Sequence, residues 1–445
     1  MLKATMKRLY EPHAYCQAPR AQCYWASTLP PADWPSLHGT ETADVAIIGA
    51  GFTGLNAALV LAQAGKRVIV LDAEAPGWGA SGRNGGFCCL GGGIIEDAHI
   101  EKVNGKGTAA AWHRMEADAV AHVARILDIH GIDADTFGTG ETLLAHKPNK
   151  WRAVQHHAES AAANNAVHPT VIPADKLPDH GMSKTFHGGA HTPIGFGLNP
   201  AKYTAGLAEA AQHAGAAIYA RSPVTRIEQT GGYTLHSPNG TVTAPQILVA
   251  TNGYSSDDLP AFLKGKYLPV QSSVLVTRPL SAQECADAEW TTDTMAYDSR
   301  NLLHYFRMLP DGRFLFGTRG GIFASPRNDM KTMRKARRDF EAMFPAWEHV
   351  ETPFEWSGLV CIGAKGMPFA GAIPDMPGAF ASLSYHGNGV AMGSYCGAQI
   401  AKVMLGDADA LHPMIQRAPP NLPLGSWRRW LLIPAYAMMS LKDRF

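Results

Sequence analysis

The sequence lacks the features that mark several functional classes. No two cysteines have CxxC spacing, and the seven present (Cys16, Cys23, Cys88, Cys89, Cys285, Cys361, Cys396) are an odd number in a chain of 445 residues. A chain of this length needs no covalent staples, so they read as reduced thiols of a cytoplasmic protein, with neither disulfides nor a zinc site. Charge is scarce and balanced: 39 Lys and Arg against 38 Asp and Glu leave a net charge of +1. That excludes the large single-sign field with which proteins hold nucleic acid or anionic membranes. The basic start, Met1–Tyr10, has no apolar run of the kind a secretory leader needs, and none is expected. The histidines form no metal pattern. His187 and His191 are separated by Gly188-Gly189, which disfavours a shared helix face, and His156 and His157 would diverge on any helix. No metal is expected.

One long uncharged run does occur, Val45–Ala64, and hydropathy alone would make it a membrane span. Its internal glycines, and the strand-like Arg67–Leu71 that follows, read instead as a buried strand, turn and helix; no spanning segment is expected. Within it stands Val45-Ala-Ile-Ile-Gly49-Ala-Gly51-Phe52-Thr53-Gly54. In this dinucleotide fingerprint Gly49 permits a tight turn, Gly51 lets backbone approach a pyrophosphate, and Gly54 allows close helix–strand packing. The helix amino terminus offers free N–H groups to phosphate. Asp72, followed by Ala73, ends the next strand, where its carboxylate can accept ribose hydroxyls and repel a 2′-phosphate.

The fingerprint alone does not separate FAD from NAD, but two further loops favour flavin. Gly79-Ala80-Ser81-Gly-Arg83-Asn84-Gly85-Gly86 follows where a simple nicotinamide domain would run into a crossover helix. Tyr385-His386-Gly387-Asn388-Gly389-Val390-Ala391 opens a second helix without the strand and acid of a complete nucleotide unit. Such a helix start can aim its positive end at a flavin edge that gathers negative charge on reduction.

Elsewhere, residues 1–42 are irregular and rich in Pro and aromatics, expected to drape over the surface. Helices are expected over Trp112–His130, Ala201–Ala214 and Met330–Phe344, and β-branched runs at 222–228, 233–236 and 246–251. Strand-like pieces within 267–320 suggest an antiparallel sheet. The fold class is therefore α/β: a Rossmann-like FAD-binding domain interleaved with a substrate domain on a mainly antiparallel sheet. The expected division is an extension over 1–42, a discontinuous FAD-binding domain over 43–100, 195–260 and 355–410, a substrate domain over 101–194 and 261–354, and a tail over 411–445. The tail's apolar stretch, Trp427–Met439, is too short to span a bilayer and is expected to pack against the body or a partner subunit, so an oligomer is left open.

With these motifs goes Asn199-Pro200, Tyr203, Ala250-Thr251-Asn252-Gly253-Tyr254, Asp298-Ser-Arg300, Tyr305-Phe306-Arg307, Trp356-Ser-Gly358 and Pro368. Together they resemble the FAD-dependent branch of the D-amino-acid oxidase superfamily, within it the gamma-glutamylputrescine oxidoreductase group. The resemblance implies that the first loop contacts the isoalloxazine, that Val224 lies beside adenine, and that Ala250 and Thr251 lie near the dinucleotide. It implies oxidation of an amine or amino acid by hydride transfer to flavin N5, imine hydrolysis, and reoxidation by dioxygen with release of hydrogen peroxide. Tyr305 is expected in the pocket wall, with Phe306 on the opposite face of its strand. Lys365 is expected near the flavin, stabilising its reduced form or developing superoxide. Arg83, Arg300, Arg307 and Arg319 are candidate carboxylate partners, and Cys88 and Cys89 read as buried thiols. Lys365, Asn388 and Asn199 depart from the family pattern, which has Asp, His and His there. Competing readings are a dehydrogenase using a quinone or carrier, a nicotinamide enzyme, and a flavin-binding protein without catalysis.

Overall fold

A computed structural model describes residues 6–165 and 167–444; part of the basic start, residues 1–5, lies outside it. Val45–Ile48 and Val68–Leu71 are buried along their whole length, as strands covered on both faces must be. They pair in parallel, and Gln246–Val249 pairs in parallel on the other side of Val45–Ile48. Ala379–Leu383, Phe369–Ala372 and Ala217–Tyr219 complete a six-stranded sheet in which only Phe369–Ala372 runs antiparallel. The chain leaves the Val45 strand through Gly49, at φ +107°, and enters the helix Phe52–Gln63. That helix is apolar on nearly every side and packs between the helices Ala391–Met404 and Pro200–His213.

A second sheet has eight strands. In spatial order they are Phe354–Gly363, Tyr267–Val276, Phe314–Arg319, His304–Met308, Met295–Asp298, Glu141–Leu144, Gly189–Thr192 and Thr170–Ile172. Every neighbouring pair is antiparallel except Met295–Asp298 with Glu141–Leu144. Period-2 alternation gives this sheet two different faces. Phe306, Phe314 and Phe316 point to one side, into an aromatic core with Trp290, Phe340, Phe344 and Trp347. Tyr305, Gly317 and Arg319 point to the other, where the functional cavity lies. The α/β architecture with a mainly antiparallel second sheet is thus the expected one.

Local assignments differ from expectation in four places. Phe354–Gly363 pairs residue for residue with Tyr267–Val276, so the chain rejoins the first sheet at Phe369 and not at 355. The 222–228 run becomes strand only at Arg226, within a separate four-stranded sheet that also takes up Gly39–Thr42. The basic helix begins earlier than expected, at Pro326, with Ser325 as its N-cap. The amino-terminal segment does not merely drape over the surface: Tyr10, Cys23 and Trp25 are buried, the last 2% exposed. A large aromatic surface gains too much from burial to remain in solvent when a groove accepts it. Among the described residues no helix is long and apolar enough to cross a membrane.

The tail packs on the protein's own body through Arg428. This side chain is wholly buried and makes a two-pronged pair with Asp257 (Nη1–Oδ2 2.9 Å, Nη2–Oδ1 2.5 Å). It also donates to the carbonyls of Tyr267 and Gly425. Removing one partner strands a buried charge, at a cost of about 3–5 kcal/mol. Arg428→Met is therefore expected to lower the unfolding free energy measured in urea by that amount, and pairing it with Asp257→Leu to restore part of the loss. Equal destabilisation by the single and double changes would contradict this account.

Candidate active site

Two cavities abut between the sheets. The outer cleft is lined by the turn Gly49–Gly51, by Phe52 and Thr53 at the helix start, and by Asp72, Ala73, Gly79–Ser81, Val224, Ala250 and Thr251. Its floor is backbone. A methyl group on Gly51 would come within 2.8 Å of Ser81 Oγ, and one on Gly49 within 2.8 Å of the Ala250 carbonyl. Gly54 lies behind the wall, where a Cβ would come within 1.9 Å of the Gly49 carbonyl, so its role is helix–strand packing. Asp72 organises this turn as well as lining it: its oxygens accept the amides of Ala50 (2.7 Å) and Glu74 (2.9 Å). Burial pushes its carboxyl upward, against those two amides.

The loop 79–86 is held by groups far away in sequence. Trp25 donates its indole N–H to the Asn84 carbonyl (2.8 Å), and Trp356 donates to the Arg83 carbonyl (2.7 Å). Ser81 Oγ accepts the Phe52 amide at 3.0 Å, completing the start of the first helix, whose Gly51 N-cap has no side chain to do so. Arg83 lies with its guanidinium 4.2 Å from the Trp78 ring centroid and donates to the Trp78 and Ser357 carbonyls; it faces the inner cavity. Gly85 also borders the inner cavity, whereas Gly86 packs against Leu198 and borders neither.

The turn before the second helix carries positive φ at Ser384 (+69°), His386 (+52°) and Gly387 (+112°). His386 is fixed on both ring nitrogens. Nδ1 donates to the Gly92 carbonyl (2.9 Å) and Nε2 accepts the Gly363 amide (3.2 Å), so the ring is neutral. Burial likewise lowers its pKa. Gly387, Gly389 and Val390 line the outer cleft, Asn388 lines the inner cavity with its amide on the Leu90 carbonyl, and Ala391 is buried behind.

The inner chamber encloses about 510 Å³, within the range of roughly 300–1,000 Å³ common for small-molecule sites. It meets the outer cleft at Ala80, Asn84, Leu359, Val360, His386, Gly387 and Val390. An elongated ligand with a planar head can therefore thread from the glycine turn into the chamber. Tyr305 stands in the chamber wall. Its ring is seated where a Cβ on Gly317 or Gly85 would lie, within 2.0 and 2.7 Å of it, and its edge meets Phe87. Its hydroxyl bonds Ser272 Oγ at 3.0 Å, and burial raises its pKa.

Lys365, expected beside the reaction site, borders neither cavity. Its Nζ donates to the carbonyls of Met414 (2.8 Å) and Arg417 (2.7 Å), tying the tail to the Gly363 turn. Burial lowers its pKa to about 8. Asn199 also leaves the site: it caps the helix Pro200–His213 through the Ala201 and Lys202 amides. Arg300 pairs with Asp298, and Arg307 donates to the Gly85 and Leu198 carbonyls and borders neither cavity. Arg83 and Arg319 both line the chamber with no acidic partner among the described residues; Arg83 lies against the Trp78 ring and donates to two carbonyls, and Arg319 donates to the His386 carbonyl beside Tyr305. Sequence reasoning missed Glu141, Glu116 and Tyr297, which share the chamber. Their positions depend on strand register, for which no local motif exists. Cys88 and Cys89 are buried thiols, and burial raises both.

Comparison with known proteins agrees with this geometry. Residues 44–403 match the family described as FAD dependent oxidoreductase. The chain is 32% identical over 427 residues to a probable oxidoreductase OrdL of Rhizobium meliloti (strain 1021), covering 95% of this chain and 97% of that protein. It is 28% identical over 425 residues to gamma-glutamylputrescine oxidoreductase of Escherichia coli (strain K12), again 95% and 97% of the two chains. The fold is shared with glycine oxidase from Geobacillus kaustophilus, at a TM-score of 0.69 and 19% identity over 82% of this chain and 95% of that one. The chain belongs to the family of FAD-dependent oxidoreductases, and FAD is its cofactor.

Proposed function

We propose that the protein oxidises the C–N bond of an amine or amino acid bound in the inner chamber, giving an imine that hydrolyses in water. The observation that carries this reading is Arg319, a cation enclosed beside Tyr305 whose hydrogen bond goes to a neutral acceptor, the His386 carbonyl (3.2 Å). A guanidinium in that position is built to take a carboxylate with two parallel hydrogen bonds. Gamma-glutamylputrescine, named for the Escherichia coli relative, is an amine that also carries a carboxylate.

Residues of the outer cleft would hold the cofactor: the Gly49–Gly51 turn with the amide of Thr53 for the pyrophosphate, Asp72 for ribose, and Val224 beside adenine. Ala250 and Thr251 border the same cleft, and the residues shared by the two cavities would border the flavin ring. FAD bound there would supply a hydride acceptor for the carbon next to nitrogen, with dioxygen as the final two-electron acceptor and hydrogen peroxide as its product.

The chain's own residues do the rest. Phe87, Leu90, Trp112, Val274 and Leu303 give the chamber apolar walls, which disfavour an ammonium and keep the reacting nitrogen neutral. The Tyr305 phenol, kept protonated by burial and held by Ser272, can donate to or accept from that nitrogen and so orient it. Arg319 fixes the far end of a carboxylate-bearing substrate.

A second reading, in which a quinone or carrier protein takes the electrons, is favoured by the exposed apolar residues of the tail: Trp427, Trp430, Ile433, Met438 and Leu441. Oxygen uptake and peroxide formation across a panel of amines and amino acids decide between acceptors. Peroxide equal to carbonyl product is expected. Flavin reduction without peroxide would favour the second reading, and no reduction by any member would overturn amine oxidation itself.

Arg319→Met is expected to lower kcat/KM by about 10²–10³-fold for carboxylate-bearing substrates, mainly through KM, as losing about 3–4 kcal/mol of buried pairing requires. The decarboxylated analogue should be far less affected; an equal loss on both substrates would contradict a carboxylate role. Gly49→Ala places a Cβ 2.8 Å from the Ala250 carbonyl at a positive φ. It is expected to weaken FAD retention at least tenfold, read as the flavin-to-protein absorbance ratio after dialysis.

A further inference from the structure

The outer cleft is short of positive charge for the group it is shaped to hold. Two carboxyl groups, Asp72 and Glu74, already line it. Burial works against ionising either one, and the phosphates of a dinucleotide beside them would oppose it further. The helix amino terminus at Phe52 offers only about half a positive charge. Of the residues that line this cleft, Arg8 is the only Lys or Arg; Arg20 and Arg83 gather at the Trp78 ring and line no part of it.

Arg8 has no anion of its own. Its guanidinium lies 4.4 Å from the Tyr15 ring centroid, and Nη2 meets the Met6 sulfur, a weak acceptor, at 3.9 Å. Its Nε is buried with no hydrogen-bond partner among the described residues. Glu74 is near enough for the charge of Arg8 to oppose that upward push, but no ion pair joins the two among the described residues. A buried donor left unpaired is costly, and a phosphate oxygen entering this cleft is the acceptor it lacks.

The segment that carries Arg8 is held at both ends. The Lys7 carbonyl accepts the Asp257 amide (2.9 Å), and the Lys7 amide donates to Asp258 Oδ1 (3.0 Å). Further on, the Tyr10 hydroxyl donates to the Gly321 carbonyl (3.2 Å), and Glu11 accepts the Ala324 amide (2.9 Å). Two consecutive arginines of the tail fasten these anchors. Arg428 grips Asp257, and Arg429 makes a two-pronged pair with Glu11 at 2.8 and 2.9 Å. Between the anchors, Met6, Arg8 and Tyr15 form one wall of the cleft, and Tyr15 meets Tyr254 edge-on at 6.2 Å.

We infer that residues 6–15 are a strap across the outer cleft, and that Arg8 pairs there with a phosphate of the ADP portion of FAD. This rests on the reading that the outer cleft holds that portion. Cofactor release then requires the strap to lift, and the carboxyl-terminal tail, through Glu11, resists the lifting. No covalent bond changes.

The test is the rate of FAD release from the FAD-loaded protein, read as flavin in the filtrate at intervals after dilution. Arg8→Met is expected to release FAD about 10–100-fold faster, the range of a lost charge-assisted hydrogen bond. Arg8→Lys keeps the charge without the planar group and should stay within about threefold of wild type. Glu11→Gln does not touch the cleft, keeps an acceptor for Ala324 and loses the ion pair; it should quicken release roughly two- to fivefold. Arg8→Lys behaving as Arg8→Met would mean that the guanidinium acts by packing, and would overturn the phosphate contact. Unchanged release in Glu11→Gln would overturn the strap. Release unaffected by Arg8→Met but quickened by Gly49→Ala would overturn the inference and keep the cleft as the ADP site. Release unaffected by both would remove that reading as well.

Discussion

Everything about this site depends on two helix amino termini meeting at one cleft, which is possible only because no side chain stands between them. The first helix lies so close to its strand that a Cβ on Gly54 would overlap the Gly49 carbonyl, at 1.9 Å. The second lies so close to the first that a Cβ on Gly397 would come within 2.2 Å of the Thr53 carbonyl. Thr53 Oγ1 then bonds the Tyr385 hydroxyl (2.8 Å) and the Gly393 carbonyl (2.9 Å), locking the two helices together. Backbone N–H groups and positive dipole ends thus converge on the cleft, which suits the phosphates of a dinucleotide.

The same economy of side chains shapes the reacting end. The inserted sheet has an aromatic core on one face and the chamber on the other, so its position is set by Phe306, Phe314 and Phe316 while Tyr305 and Arg319 remain free to meet a ligand. Gly85 and Gly317 make room for the Tyr305 ring, and two tryptophans from opposite ends of the chain hold the loop beside it. Rigid backbone and packed rings hold their geometry without reorganising when a substrate enters, which is what orientation of a reacting carbon requires.

The parts legible in the sequence are those made by neighbours in the chain. Gly49, Gly51, Gly54 and Asp72 fall within one strand–turn–helix–strand unit, so their spacing alone carries the cleft. The alternation of Tyr305 and Phe306 carries the two faces of their strand. Glu141 and Arg319 are 178 positions apart, and nothing local signals that they share a cavity; that follows from the register of four strands. Lys365 and Asn199 mislead for a different reason. Both stand next to motif residues, but a lysine with two backbone carbonyls in reach and an asparagine before a helix are satisfied locally. Proximity in sequence to a cofactor motif therefore says little about long or capping side chains. The amino-terminal aromatics show the converse: Trp25 lies 59 positions before Asn84 in the chain, yet it holds the loop that borders the flavin cleft.

The central claim is that one FAD joins the two cavities, with its ADP portion on the glycine turn and its isoalloxazine facing the chamber. A crystal structure of the FAD-saturated protein tests this most directly. The account predicts ring density bounded by Ala80, Asn84, Leu359, Val360 and the turn His386–Val390, one face open to Tyr305, Arg319 and Glu141. An isoalloxazine directed away from the chamber, or separated from Tyr305 by an intact protein wall, would contradict it.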